Sequence, residues 1–286
     1  MVRLIKAFCL GFLLVAAADA GAQTVPVTPR TAQADGELKV LIGLLDIPEN
    51  IAIMREEGIA YGATLDKDLF SGNGGAAWAE KVAAIYDAEQ MERRFLARLQ
   101  QDVPQNSTTA LIEFFGSDLG KRVVRLELTA RKALLDSAVE EIANQTRDEM
   151  ASQKDPRLDA VRAFIVANDL VEQNVVGAMN ANFAFYRGMA EGGSFDKRMS
   201  ETEILADVWS QEADIRGQTT DWLTAYLGLA YQPLSDADLA AYIAFSGQPD
   251  AQVLNTAMFA AFNEMFSGIS HDLGVAAAGI LGQKEL

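Results

Sequence analysis

The stretch Ala110–Val124, ALIEFFGSDLGKRVV, runs an apolar segment into a glycine, then a serine and an acid, then a second segment with Val123 and Val124. Physically it spells helix, sharp corner, helix. Gly116, two residues after Phe114, suits the left-handed position just past a helix end, which only glycine takes at little steric cost. Ser117 suits the N-cap of the next helix, and Asp118 sets negative charge at the positive end of its dipole. A second copy, AYIAFSGQPDAQVL at Ala241–Leu254, keeps Phe245 and Gly247 and supplies Pro249 for a first helical turn.

The two phrases lie 131 residues apart, and the same offset without a gap aligns Trp78 with Trp209, Phe95 with Tyr226, Ile112 with Ile243 and Ala130 with Ala261. Aromatic falls on aromatic, apolar on apolar and turn on turn, which predicts an internal duplication. The rest of the chain reads as helix. Pro48 suits a helix start, residues 76–101 carry apolar positions at helical intervals, and residues 120–150 do the same. SETE at Ser200–Glu203 is a capping box. No alternating strand pattern bounded by hairpin turns occurs. The expected fold is all-α, in two related multi-helix units without a sheet. Residues 37–152 form the first unit and 156–272 the second, joined near Gln153–Pro156, with a C-terminal tail at 273–286.

Here the chain also resembles a family. LIEFFGSDLGKRVV, and less closely LSDADLAAYIAFSGQPDAQVL, are similar to the helix–turn–helix signature of a bacterial domain of unknown function, number 2059. The resemblance implies a secreted helical protein of unassigned function and carries over no catalytic residue. Its best match is placed at about 225–272.

The N-terminal sequence MVRLIKAFCLGFLLVAAADAGAQ has cations at Arg3 and Lys6, an apolar run from Ala7 to Ala18, and small residues at Ala20 and Ala22. This is the pattern of a cleavable signal peptide, residues 1–22, and predicts a periplasmic protein. Residues 23–36, with prolines and no periodicity, are expected to be flexible. The only cysteine, Cys9, lies within the signal, so the mature chain has no thiol chemistry, disulfide or zinc–thiolate site. Loss of Arg3, Lys6 and Asp19 takes the formal charge from −16 to −17 (22 basic against 39 acidic). Such a chain repels nucleic acid, and no transmembrane segment is expected in the mature protein.

Chemistry-bearing groups are sparse. Ser270, His271 and Asp272 are adjacent, but neighbours in sequence point apart and a triad needs spatial convergence. No catalytic residue, metal site or cofactor is assigned. A carboxylate-based hydrolase stays open on composition alone. Two surfaces stand out. Met258, Phe259, Phe262, Met265 and Phe266 recur at helical spacing, as core or as a face for an apolar ligand or partner helix. Lys121, Arg122 and Arg125, followed by Arg131 and Lys132, form a basic cluster on an acidic protein, as a solvated face or as a patch for an anionic partner. The expected role is non-catalytic binding of a protein or envelope component, with an apolar-ligand carrier as the alternative.

Overall fold

The computed structural model describes residues 32–193 and 200–284. The first half holds α1 (Ala32–Leu44), α2 (Ile47–Phe70), α3 (Gly75–Ile85), α4 (Ala88–Asp102), α5 (Thr108–Gly116), α6 (Asp118–Ala133) and α7 (Ser137–Gln153). The second holds α8 (Pro156–Ala167), α9 (Leu170–Glu191), α10 (Glu201–Ser210), α11 (Glu212–Tyr231), α12 (Asp236–Ser246) and α13 (Pro249–Lys284). No strand occurs among the described residues, so the protein is all-α.

Local chemistry explains most boundaries. Asp87, Ser117, Asp136, Asp155, Ser200 and Ser235 each accept a backbone N–H from the first turn of the helix they cap, and Ser200 and Glu203 complete the capping box. Pro156 opens α8 next to its cap. Three stretches that read as single helices are therefore broken. Residues 76–101 divide at Tyr86–Asp87, residues 120–150 at Leu134–Asp136, and the segment after Pro156 at Asn168–Asp169. In each case a polar side chain and a short kink compete successfully with an otherwise continuous apolar period.

The halves repeat a pairing scheme. In the first, α1 packs on α2 and α5, α2 on α3, α4 and α6, and α5 on α6; the same contacts recur as α8 on α9 and α12, α9 on α10, α11 and α13, and α12 on α13. Ahead of Trp78 the register is 123 rather than 131. Asp46 and Asp169, both left-handed at φ 50 and 48, start α2 and α9 and are each followed three residues later by a glutamate. Packing between the halves repeats as well: α4 lies on α13 as α11 lies on α6, and α5 on α13 as α12 on α6. Phe114 and Phe245, equivalent residues, stack on one another with centroids 3.5 Å apart and planes at 5°.

One buried cluster runs from Leu38 to Ile280 through both halves, so the two expected units share a single core. The expected C-terminal tail is instead the last part of α13, with Leu273, Ala277 and Ala278 fully buried. Residues 32–36, expected to be flexible, lie in α1; residues 23–31 and the signal peptide are outside the described residues.

The equivalence has limits where the environment differs. Trp78 is 2% exposed, and its indole N–H donates to the Gly62 carbonyl at 2.7 Å; Trp209 is 64% exposed. Helix α13 continues past the equivalent of the α6–α7 break and packs on α3, whereas α7 packs on α11 and α8.

Candidate functional site

The corner phrase is scaffolding in both copies, but its glycines act differently from the expectation. Gly116 is the last residue of α5 and has no left-handed conformation; Gly247, at φ −76 and ψ −1, has none either. The turn is made by Ser117, extended at φ −71 and ψ 165, whose Oγ accepts the Gly120 N–H at 3.1 Å. The glycine that the corner requires is Gly120. A Cβ there would collide with the Phe114 carbonyl and the Phe115 backbone. Pro249 takes its expected place at the start of α13.

The Met/Phe stripe faces inward. Met258 and Met265 are fully buried, and Phe259, Phe262 and Phe266 are buried with only their edges lining a crevice against α9. Phe262 packs on Phe95 of α4 with centroids 4.5 Å apart. Core packing accounts for most of this face.

The basic cluster divides. Arg131 is buried, where its guanidinium makes a forked pair with Glu57 at 2.9 and 2.7 Å and donates to Asn50 Oδ1 at 3.3 Å. Arg122 pairs with Asp238 at 2.6 Å across the two halves, and Lys132 with Glu49 at 3.5 Å. Lys121 and Arg125 are exposed and have no ion pair or side-chain hydrogen bond among the described residues. They stand one helical turn apart on α6.

Those two cations line a groove between α6 and the corner joining α1 to α2. One wall carries Lys121, Arg125 and Lys132; the other carries Gly43, Leu44, Asp46 and Glu49; Val124 and Leu128 form an apolar floor. The groove has a volume of about 540 Å³. Asp46 at the groove is left-handed at φ 50, a conformation that an aspartate tolerates better than most side chains.

Behind the groove lies a polar cluster that was not anticipated. Glu127 of α6 is fully buried; Tyr231 donates to its carboxylate at 2.7 Å and Tyr242 at 3.1 Å, while Tyr226 donates to its backbone carbonyl at 3.1 Å. Burial pushes the Glu127 carboxyl up to about 8, against the opposing pull of the two tyrosine hydrogen bonds. The three phenols are raised well above their ordinary value by the same burial and by the facing carboxyl. The cluster was legible in part. Gly120, Val123, Val124, Glu127, Leu128 and Arg131 follow helical spacing, so both charged residues sit on the buried face of α6. Glu127 lines neither groove, and its hydrogen bonds with Tyr226, Tyr231 and Tyr242 bridge the two halves.

His271 is half-exposed. Its Nε2 lies 2.9 Å from Glu191 and its Nδ1 3.6 Å from Asp272, which also pairs with Arg94. Ser270 is buried, and no hydrogen bond joins it to the ring. The triad geometry does not form. Among the described residues no group of three His, Cys, Asp or Glu side chains is placed to hold a metal ion, and no helix is long and apolar enough to cross a membrane.

No curated protein and no solved structure matches the chain. One family model does, over residues 89–148, from the first turn of α4 into α7. That segment contains the first corner phrase, the free cations of the groove, Glu127 and Arg131; the stretch 225–272, where the sequence resemblance was placed, lies outside it. The family is described as an uncharacterized protein conserved in bacteria (DUF2059), and it is to this family that the α4–α7 segment belongs.

Proposed function

We propose that this is a non-catalytic, periplasmic binding protein that docks an acidic segment of a protein or other envelope component in the groove between α6 and the α1–α2 corner. The observation that carries this reading is the pair Lys121 and Arg125, exposed and without partners on a chain of net charge −16, above the apolar floor of Val124 and Leu128. Two unmatched cations one turn apart on the same groove wall favour an anionic ligand. The floor gives that ligand a place for apolar side chains.

The direct test is fluorescence anisotropy with a labelled peptide that alternates glutamate and leucine. Binding is expected to weaken as salt rises, and Lys121→Glu with Arg125→Glu should reduce affinity by about 100-fold, two charge contacts of roughly 1.4 kcal/mol each. Equal affinity in the charge-reversed protein would sink the groove assignment. For the biological partner, mild crosslinking in periplasm followed by pull-down should enrich a component that the charge-reversed protein does not capture.

A further inference from the structure

The groove between α6 and the α1–α2 corner has a second charged wall, and the fold makes no use of Asp46 on it. Asp87, Asp136 and Asp155 each turn a carboxylate back onto a backbone N–H of the helix they start; Asp46, at the start of α2, makes no such bond. The backbone accounts for the difference. A capping side chain reaches the first turn from an extended residue, as at those three positions, whereas Asp46 is left-handed. Asp46 is exposed, and its carboxylate has no ion pair or hydrogen bond among the described residues.

Across the groove the same holds for Lys121 and Arg125. Among the residues that line the groove, one ion pair ties the two walls, Lys132 to Glu49 at 3.5 Å. An unpaired carboxylate is ordinary on a chain with 40 acidic and 24 basic residues. Unpaired charges of opposite sign on facing walls are different, because a ligand between them meets both.

We propose, resting on the docking reading above, that the segment taken by this groove is amphoteric. Its carboxylates lie along Lys121 and Arg125, its apolar side chains on Val124 and Leu128, and one lysine on its opposite edge pairs with Asp46. A purely acidic segment brings negative charge close to Asp46 and Glu49, and that repulsion offsets part of what the two cations contribute. One ammonium group on the Asp46 side removes the repulsion and adds an ion pair. The groove then selects by charge pattern and not by net charge alone. Its volume of about 540 Å³ suits the side chains of a short peptide segment.

The experiment repeats the anisotropy titration of the whole protein with the glutamate–leucine peptide and with a series in which each glutamate in turn is replaced by lysine. At least one member of the series is expected to bind about fivefold more tightly than the parent, through one exposed ion pair and the relief of a like-charge contact. Asp46→Asn should abolish that gain. Asparagine accepts the left-handed conformation and no side-chain bond is lost, so the fold is kept, which an unchanged melting temperature checks. Glu56→Gln removes an exposed carboxylate of α2 outside the groove and should leave the gain intact, which separates pairing at Asp46 from the change in net charge. No lysine peptide tighter than the parent, a gain that survives Asp46→Asn, or a gain lost equally in both variants would each overturn the inference, while charge-dependent binding of the parent keeps the docking reading. If neither the parent nor any lysine peptide binds, both fall together.

Discussion

Glu127 is the residue whose environment departs furthest from its ordinary chemistry. The fold stabilises its protonated form, so its contribution is complete below the ordinary value of 4.5 and is lost as pH rises through about 8. Between those limits the stability of the whole protein should fall by about 1.4 kcal/mol per pH unit, and Glu127→Gln, which keeps an acceptor for Tyr231 and Tyr242, should flatten that slope. Urea denaturation at pH 5, 6, 7 and 8 checks this; a slope that persists in the variant would assign the dependence elsewhere. The carboxylates with lowered values, such as Glu203 beside Ser200 and Asp238 beside Ser235, are solvent-exposed and act only at acid pH, outside this window. At the corner, Gly120→Ala should cost about 2–3 kcal/mol by forcing the Phe114 carbonyl aside, whereas Gly116→Ala, whose nearest neighbour is Leu44 at 4.0 Å, should be neutral or mildly stabilising. Thermal melts of the two variants separate the glycine that sequence pattern emphasised from the one that packing requires.

Among the elements, the crossing of α9 and α13 is the closest. Gly188 of α9 and Gly192 just past its end face His271, Val275 and Ala278 of α13, and Gly274 of α13 faces the Phe185 carbonyl, so the two backbones touch. Gly274→Ala should separate them and lower stability by about 2–3 kcal/mol, read as a shift of the urea midpoint at unchanged slope. The first half has no such crossing. Helix α6 stops at Ala133, Asp136 caps α7, and Ile142 of α7 is 61% exposed although its equivalent, Leu273, is buried in α13.

For the molecule as a whole, the contacts between halves decide what can fold alone. A fragment of residues 156–284 would expose the faces of α11 and α13 that now pack on α6 and α4, together with Phe245. It is expected to be largely unfolded by circular dichroism, and to recover helical structure when mixed with a fragment of residues 32–155. A cooperative melt from the single fragment would show that the halves are separate domains. The sequence aligned Phe114 with Phe245 and placed a boundary between halves near Gln153–Pro156, but a capped helix start looks the same whether the next helix begins a domain or returns to a shared core.

By itself the sequence determined the helical class, the serine caps and the helix–corner–helix phrase, since each depends on contacts within a few residues: the 3.6-residue apolar period, a serine at a helix start, a proline in a first turn. Only the tertiary structure decided that Arg131 is buried against Glu57, that Lys121 and Arg125 remain free, that Glu127 is enclosed by three tyrosines of the other half, and that Asn174 Oδ1 is buried without a donor. Each of those facts concerns a partner 50 or more residues away or the lack of one. Local periodicity fixes the face a side chain takes; the packing of distant helices fixes what it meets there.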